Sequence, residues 1–295
     1  MSKSKGILVI NGGSTSVKFA GYRHEGGEDL SVVCRGQVEG IGSHPHFVAK
    51  GADGKPVDAH DWGAEHPLNQ ESALKYIFGW LDAHMRDVVF AAAGHRVVLG
   101  GVKYEKPVLV TDRVLADLDE LCTFAPSHQP YEIAAIRAVL KANPSMPQVA
   151  CFDTSFHRTM PRLAQMYALP RQYREGNLRH WGYHGISYDY ISRQVPQYAP
   201  DARRVIVAHL GGGCSICAMA DGKSMDTSLG FSAVDGLPMS TRAGEIDAGV
   251  LLHLLIADRM EPVALEKLLY KQSGLLGISG ISGDMRELED SEAPE

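Results

Sequence analysis

Residues 8–22 read Leu-Val-Ile-Asn-Gly-Gly-Ser-Thr-Ser-Val-Lys-Phe-Ala-Gly-Tyr. An apolar strand, Ile7–Ile10, runs into a turn of small residues, and a second strand, Ser16–Tyr22, leaves it carrying one lysine, Lys18. Backbone N–H groups in such a turn can approach an anion closely, because no side chain stands in the way. The Ser and Thr hydroxyls add donors and Lys18 adds a point charge, so the composition suits a phosphate. The spacing is not G-x-x-x-x-G-K-[ST], which excludes a P-loop. A tight hairpin needing glycine for positive φ is the purely structural alternative.

The same layout returns about 200 residues later. The first copy continues through a polar turn at His24–Asp29 into a strand over Leu30–Val38. The second runs as strand (Val205–Leu210), Gly211-Gly212-Gly213, strand (Cys214–Met219), an Asp221-Gly222 hairpin turn and strand (Lys223–Thr227). A repeated supersecondary unit predicts a duplicated architecture, two α/β domains facing a cleft. Two phosphate-suited turns closing from opposite domains would make that cleft kinase-like. The 295 residues suffice for two domains at roughly 150 each; the expected division is 1–152 and 153–295.

Between the two copies, loops are expected up to about Asn69. A helix follows over Glu71–Met85, where Leu74, Ile77, Phe78 and Leu81 share a face. Val88–Ala93 and Arg96–Leu99 read as buried strand, Asp112–Leu121 and Tyr131–Ala142 as helices, the latter stopped by Pro144. Val149–Phe152 is a short strand ending at Asp153. Ser273–Gly280 reads as a Gly-rich loop, and Asp284-Met285-Arg286-Glu287 as a capped helix start.

Composition excludes several classes. A net charge of −6 with no basic run argues against nucleic acid, which binds through Lys/Arg contacts to phosphates. The N-terminus lacks the apolar stretch of about 7–15 residues of a signal peptide, and the run at Val250–Leu252 is broken by His253, so no membrane span is expected. The five cysteines read as reduced thiols of a cytosolic protein. Cys214 and Cys217 would face opposite sides of a strand, which argues against a metal or redox pair.

Several charged residues stand in chemically suggestive settings. Arg96 lies among apolar strand residues, where burial demands a partner, structural or functional. Arg242 occupies a Gly-containing loop. His184 sits between Tyr183 and Gly185, and His128 in the Pro126–Pro130 loop. Asp153 ends a strand, where ligands of open α/β sheets bind; it could equally cap a helix over Thr154–Met160.

Together, Asn11–Lys18, Gly94–Val98, Phe152–His157, Tyr183–Gly185, His209–Gly211, Asp226–Phe231, Thr241-Arg242 and Ser273–Gly280 resemble the acetate/propionate kinase family of the sugar kinase, Hsp70 and actin superfamily. The motifs run along the whole chain in the family's order. The resemblance implies duplicated actin-like (ribonuclease H-like) domains, and phosphoryl transfer from ATP to acetate with Mg²⁺ or Mn²⁺ in a cytoplasmic homodimer. It assigns Asn11 to the metal and Lys18 to ATP. It assigns Arg96, Val98 and Tyr183 to substrate, and Asp153, His184, Arg242 and His128 to catalysis. His209, Leu210, Gly211, Gly212 and Gly213, with Asp284, Met285 and Arg286, are assigned to nucleotide.

The sequence departs from the family at Leu99 (usually His) and Gly212 (usually Asn). Ser127, Tyr183 and Ala233 stand at acyl-pocket positions, where Ser127 and Ala233 imply a larger, more polar pocket. One methylene discriminates by only about 1–3 kcal/mol, so propionate or another small acid is an alternative to acetate. Family members continue for about a further quarter of their length. That part carries a Gly-rich adenosine loop, a metal-binding glutamate and a final helix, so weaker grip on nucleotide and metal, or a catalytically incomplete remnant, is also expected of this length of chain.

Overall fold

The computed structural model describes residues 3–27, 29–173 and 177–293. Glu28, inside the expected His24–Asp29 turn, lies outside them. The chain divides into two compact units, Met1–Phe152 and Asp153–Glu295.

The first unit is built on eight strands: β1 (Ser4–Gly12), β2 (Ser16–Gly26), β3 (Asp29–Glu39), β4 (His46–Gly51), β5 (Pro56–Asp61), β6 (Val88–Val97), β7 (Val108–Leu109) and β8 (Gln148–Phe152). They form one sheet in the order β5-β4-β3-β2-β1-β6-β8-β7. β1, β6 and β8 run parallel to one another, and the remaining pairs are antiparallel. The α-helices among this unit's described residues are α1 (Gln70–His84), α2 (Asp112–Glu120) and α3 (Gln129–Ala142). Alternation along β1 and β2 turns Leu8, Ile10, Val17 and Phe19 inward, where they pack with Leu74, Ile77 and Trp80 of α1 and with Ala135 and Val139 of α3. α1 starts where the Asn69 side chain accepts from the Ser72 N–H, and α2 where Thr111 accepts from Val114.

The region expected to be loop up to Asn69 contains β4 and β5. β5 carries Pro, His and two Asp and is largely exposed, a composition depleted in strands. It exists as an edge strand because β4 supplies its partners and because Asp58 accepts from the Trp80 indole N–H at 2.9 Å. The two strand pieces at Val88–Ala93 and Arg96–Leu99 are one strand ending at Val97, and the two-residue β7 had no visible signal.

The second unit holds a three-stranded antiparallel sheet, β11-β10-β9, of β9 (Arg204–His209), β10 (Ser215–Ala220) and β11 (Lys223–Thr227). This is the same strand–turn–strand–turn–strand meander as β1–β3. Asp221 (φ 48°) and Gly222 (φ 72°) make the tight turn between β10 and β11. The α-helices among this unit's described residues are α4 (Gly185–Tyr198), α5 (Ala248–Ile256), α6 (Pro262–Lys271), α7 (Gly274–Ser279) and α8 (Met285–Glu289). Tyr188 of α4 packs on Cys217 and Met219 of β10.

Ser273–Gly280 is therefore not a loop but a helical turn. Its first N–H groups are satisfied from outside the helix: Leu275 donates to the Met239 carbonyl at 2.8 Å and Leu276 to that of Ser240 at 3.0 Å. No local sequence signal carries such a tertiary cap. The helical segment after Asp153 is a short 3₁₀ turn, Phe156–Thr159, whose N-cap position is Ser155.

Candidate active site

In the first unit the Gly-Gly-Ser-Thr-Ser turn closes through the Gly13 N–H donating to the Ser16 carbonyl at 2.7 Å. Register places Asn11 directly opposite Lys18, so both side chains project from the same face at the mouth of the hairpin. Lys18 is exposed. The glycines are not there for positive φ, since neither Gly12 nor Gly13 has it. Gly12 suits a close approach: a Cβ there would lie 3.0 Å from the Tyr131 carbonyl oxygen and 3.1 Å from the Ala135 Cβ of α3, tighter than ordinary contact.

Arg96 sits near the end of β6, and α3 holds it. The Glu132 carboxylate, with no exposed side-chain surface, accepts from Arg96 Nη1 at 3.1 Å and from the Val98 N–H at 2.8 Å. One turn earlier Gln129 grips the Leu99 backbone on both sides, accepting from its N–H and donating to its carbonyl. The paired-arginine requirement read from the sequence is met, and the guanidinium keeps about a quarter of its surface exposed (26%). Val98 is itself buried. His128 is half-buried at the N-cap of α3, without a side-chain capping bond.

In the second unit the Asp153 main chain and the Tyr183-His184-Gly185 turn are in contact. The Gly185 N–H donates to the Asp153 carbonyl at 3.0 Å, and a Cβ on Gly185 would sit only 2.0 Å from that oxygen. Only glycine fits. Asp153 is buried (2% exposed). His184 takes the left-handed conformation (φ 58°), uncommon for a non-glycine residue and a form of strain that gathers at functional sites. Tyr183 is buried, its hydroxyl donating to the Phe231 carbonyl at 2.7 Å, and burial raises its pKa. The Tyr183 carbonyl receives His157 Nε2 at 2.9 Å, while His157 Nδ1 meets the Ser224 hydroxyl at 2.8 Å. Burial pulls the His157 pKa down to about 4, so this ring is neutral and braces the turn.

His184 and His209 stack, with ring centroids 4.1 Å apart and planes 25° apart. Gly211–Gly213 follow His209, and none has positive φ. Gly213 faces two functional groups: a Cβ there would lie 3.6 Å from Arg242 Nη1 and 3.8 Å from His184 Nε2. Arg242 Nη1 is itself held by the Ala233 carbonyl at 2.9 Å. The turn that carries Arg242 is gripped by α7, since Met239, Ser240 and Thr241 accept from Leu275, Leu276 and Ser273. Gly274 has φ 64° and stands where a Cβ would lie 2.6 Å from the Arg242 carbonyl oxygen. The Ser240 N–H reaches the Gly212 carbonyl, and Gly283, just before α8, abuts the Ser240 carbonyl. The second unit thus gathers His184, Arg242, the glycine triplet and the start of α8 around one turn.

Leu210, Met285 and Arg286 are exposed. Asp284 caps α8 and binds Arg286 through its N–H and side chain, which holds the Asp284 carboxyl down at about 2. The contacts of Glu132, Gln129 and His157 were not visible in the sequence. Each acts across a long chain separation, and only a buried polar residue on an otherwise apolar face could have pointed to them.

A cation has few protein ligands on offer. No group of three or more His, Cys, Asp or Glu suited to a metal exists among the described residues. Asn11 offers one amide oxygen at the hairpin. That donor set fits an ion carried in on nucleotide phosphates and keeping most of its water, the habit of Mg²⁺.

Fold and site define an α/β protein whose second unit brings a guanidinium and an imidazole to one glycine turn, an arrangement suited to a phosphoryl group. The Acetokinase family model matches residues 6–295, and the chain belongs to that family. An acetate kinase from Nitrobacter hamburgensis is 46% identical over 290 residues, covering 98% of this chain and 72% of that protein. Among solved structures, a propionate kinase from Francisella tularensis subsp. tularensis matches with a TM-score of 0.86 at 36% identity, over 98% of this chain and 73% of that one. The acetate kinase of Porphyromonas gingivalis matches with a TM-score of 0.82 at 34% identity, over 97% and 73%.

Proposed function

We propose that this chain is an acetate kinase, catalysing reversible phosphoryl transfer from ATP to acetate to give acetyl phosphate and ADP. The observation that carries the reading is the approach of an imidazole Nε2 and a guanidinium Nη1 to one glycine, Gly213, in a phosphate-suited turn. Phosphoryl transfer asks a protein mainly for positioning and charge neutralisation. Arg242 and His184 supply donors to the equatorial oxygens of the transferring group, and Arg96 binds the acid's carboxylate. His209–Gly213 and Asp284–Arg286 contact the nucleotide, Lys18 adds charge at the first hairpin, and Val98, Tyr183 and His128 border the acyl group.

Asp153 does not serve as a general base, because acetate is already ionised near neutral pH and has no proton to surrender. It orients an arginine or a metal-bound water. Asp153→Asn is expected to lose most activity while nucleotide still binds; near-native turnover would remove this role. A divalent ion, Mg²⁺ in this reading, would neutralise phosphate charge when bound, with Asn11 as the protein's oxygen ligand. The protein acts as a cytoplasmic homodimer, a reading the five free cysteines support as to compartment. No helix among the described residues is long and apolar enough to cross a membrane.

Propionate is the second reading, favoured by Ser127 and Ala233 at the acyl-pocket positions and by the likeness to a propionate kinase structure. Hydroxylamine trapping of acyl phosphate from Mg-ATP with acetate, propionate and butyrate tests both. Acetyl phosphate as main product supports the first, propionyl phosphate the second, and no product with any acid rejects both.

A further inference from the structure

Ser215 is the first inward-facing residue of β10. Along that strand Ser215, Cys217 and Met219 are buried, while the residues between them turn to the other side. Cys217 and Met219 pack against Tyr188 of α4. A hydroxyl in such a row needs partners. Ser215 Oγ has two: His184 Nδ1 at 2.8 Å and the Tyr188 hydroxyl at 2.5 Å.

The protons of this chain can be ordered. Tyr188 is fully buried, and burial pushes its pKa up to about 12, so it keeps its proton. Among the described residues its hydroxyl meets one hydrogen-bond partner, Ser215 Oγ, so its own O–H donates there. Ser215 Oγ, accepting there, gives its hydrogen to His184 Nδ1. An imidazole nitrogen that accepts carries no proton, so the neutral ring holds its hydrogen on Nε2. Nε2 is the nitrogen on the Gly213 side, where Arg242 Nη1 also lies. His209, stacked on His184 and tied through its own Nδ1 to Ser187 at 3.1 Å, restricts the tilt of the ring.

We infer that Tyr188 and Ser215 form a proton-ordering relay that presents His184 as an Nε2–H donor toward phosphoryl oxygen. Both are positioning residues, acting through His184. The catalytic consequence rests on the phosphoryl-transfer reading above; the tautomer does not.

The test separates the two. The full chain, labelled with ¹⁵N-histidine, is observed by long-range ¹H–¹⁵N correlation at pH 8 without nucleotide, and His184→Asn identifies the His184 signals. The native ring is expected to be the Nε2–H tautomer. Ser215→Ala shifts it toward Nδ1–H, Tyr188→Phe shifts it the same way by less, and Ser215→Thr restores it. In the acyl phosphate assay Ser215→Ala lowers kcat about tenfold, less than the 10²–10³ of deleting a donor outright, with KM values unchanged. Ser215→Thr recovers kcat. A native Nδ1–H ring, or a tautomer unmoved by Ser215→Ala, overturns the relay. An Nε2–H ring in a chain that makes no acyl phosphate upholds the relay and rejects the phosphoryl-transfer reading instead.

Discussion

Glu132 offers the sharpest perturbation of the first unit. Its carboxylate is fully buried and holds both Arg96 Nη1 (3.1 Å) and the Val98 N–H (2.8 Å). Glu132→Gln keeps the shape but sets an amide N–H₂ against either the guanidinium or the backbone N–H, donor against donor. The lost bond involves a charged group, worth about 1.5–3 kcal/mol. Glu132→Ala removes the carboxylate from both contacts, and the loss of one member of a buried pair costs about 3–5 kcal/mol. The partial exposure of Arg96 lets water offset some of this, so about 2 kcal/mol is expected for Gln and about 3 for Ala. With an m-value of about 2 kcal/mol/M, the Gln variant moves the urea midpoint of the first unit down by about 1 M. Because the guanidinium is no longer aimed, the KM for acetate should rise at least tenfold in the same variant while the KM for ATP stays within twofold. An unchanged midpoint with unchanged acetate KM would refute the reasoning, since the pair would then neither stabilise β6 nor orient Arg96.

Three further outcomes are expected. His95 and His157 are buried with pKa values pulled down to about 4, below the ordinary 6.5, so the unfolded chain binds protons first; stability is complete above pH 6.5 and falls as pH drops from there toward 4, by about 2 kcal/mol per histidine at pH 5 relative to pH 7. Urea midpoints at the two pH values measure this, and His95→Gln should weaken the pH dependence if the neutral ring beside Gln148, whose side chain makes no hydrogen bond of good geometry, is one of its sources. Gly185→Ala drives a methyl group into the Asp153 carbonyl, so we expect destabilisation beyond the 1–3 kcal/mol typical of overpacking and loss of turnover together, read by thermal melting and the acyl phosphate assay. Gly213→Ala meets only ordinary contacts, so its melting temperature should stay within a few degrees of the native one, yet its methyl lies beside both Arg242 Nη1 and His184 Nε2 and kcat should fall at least tenfold.

Much of the architecture can be read along the chain because it is local. Strand alternation, the cap at Asp284 and the Asp221-Gly222 turn depend on residues a few positions apart, and the two meanders announce themselves through the same small-residue turns. β5 could not be read, since its polar sequence becomes a strand only beside β4, nor could α7, whose first N–H groups are satisfied by Met239 and Ser240. The reason for the first glycine pair also lay outside the sequence: Gly12 answers to the approach of α3, not to a strained turn. The motif residues Arg96, Asp153, His184 and Arg242 are visible as chemically apt types in telling contexts. What aims them is not. Glu132 reaches Arg96 from 36 residues away, Ser215 reaches His184 from 31, and His157 reaches the Tyr183 carbonyl from 26. The sequence by itself determined which groups could meet a phosphate and in what order along the chain they come. The tertiary structure alone decided which way each one points, because orientation is set by buried hydrogen bonds between distant segments, and these exist only once the core has closed around them.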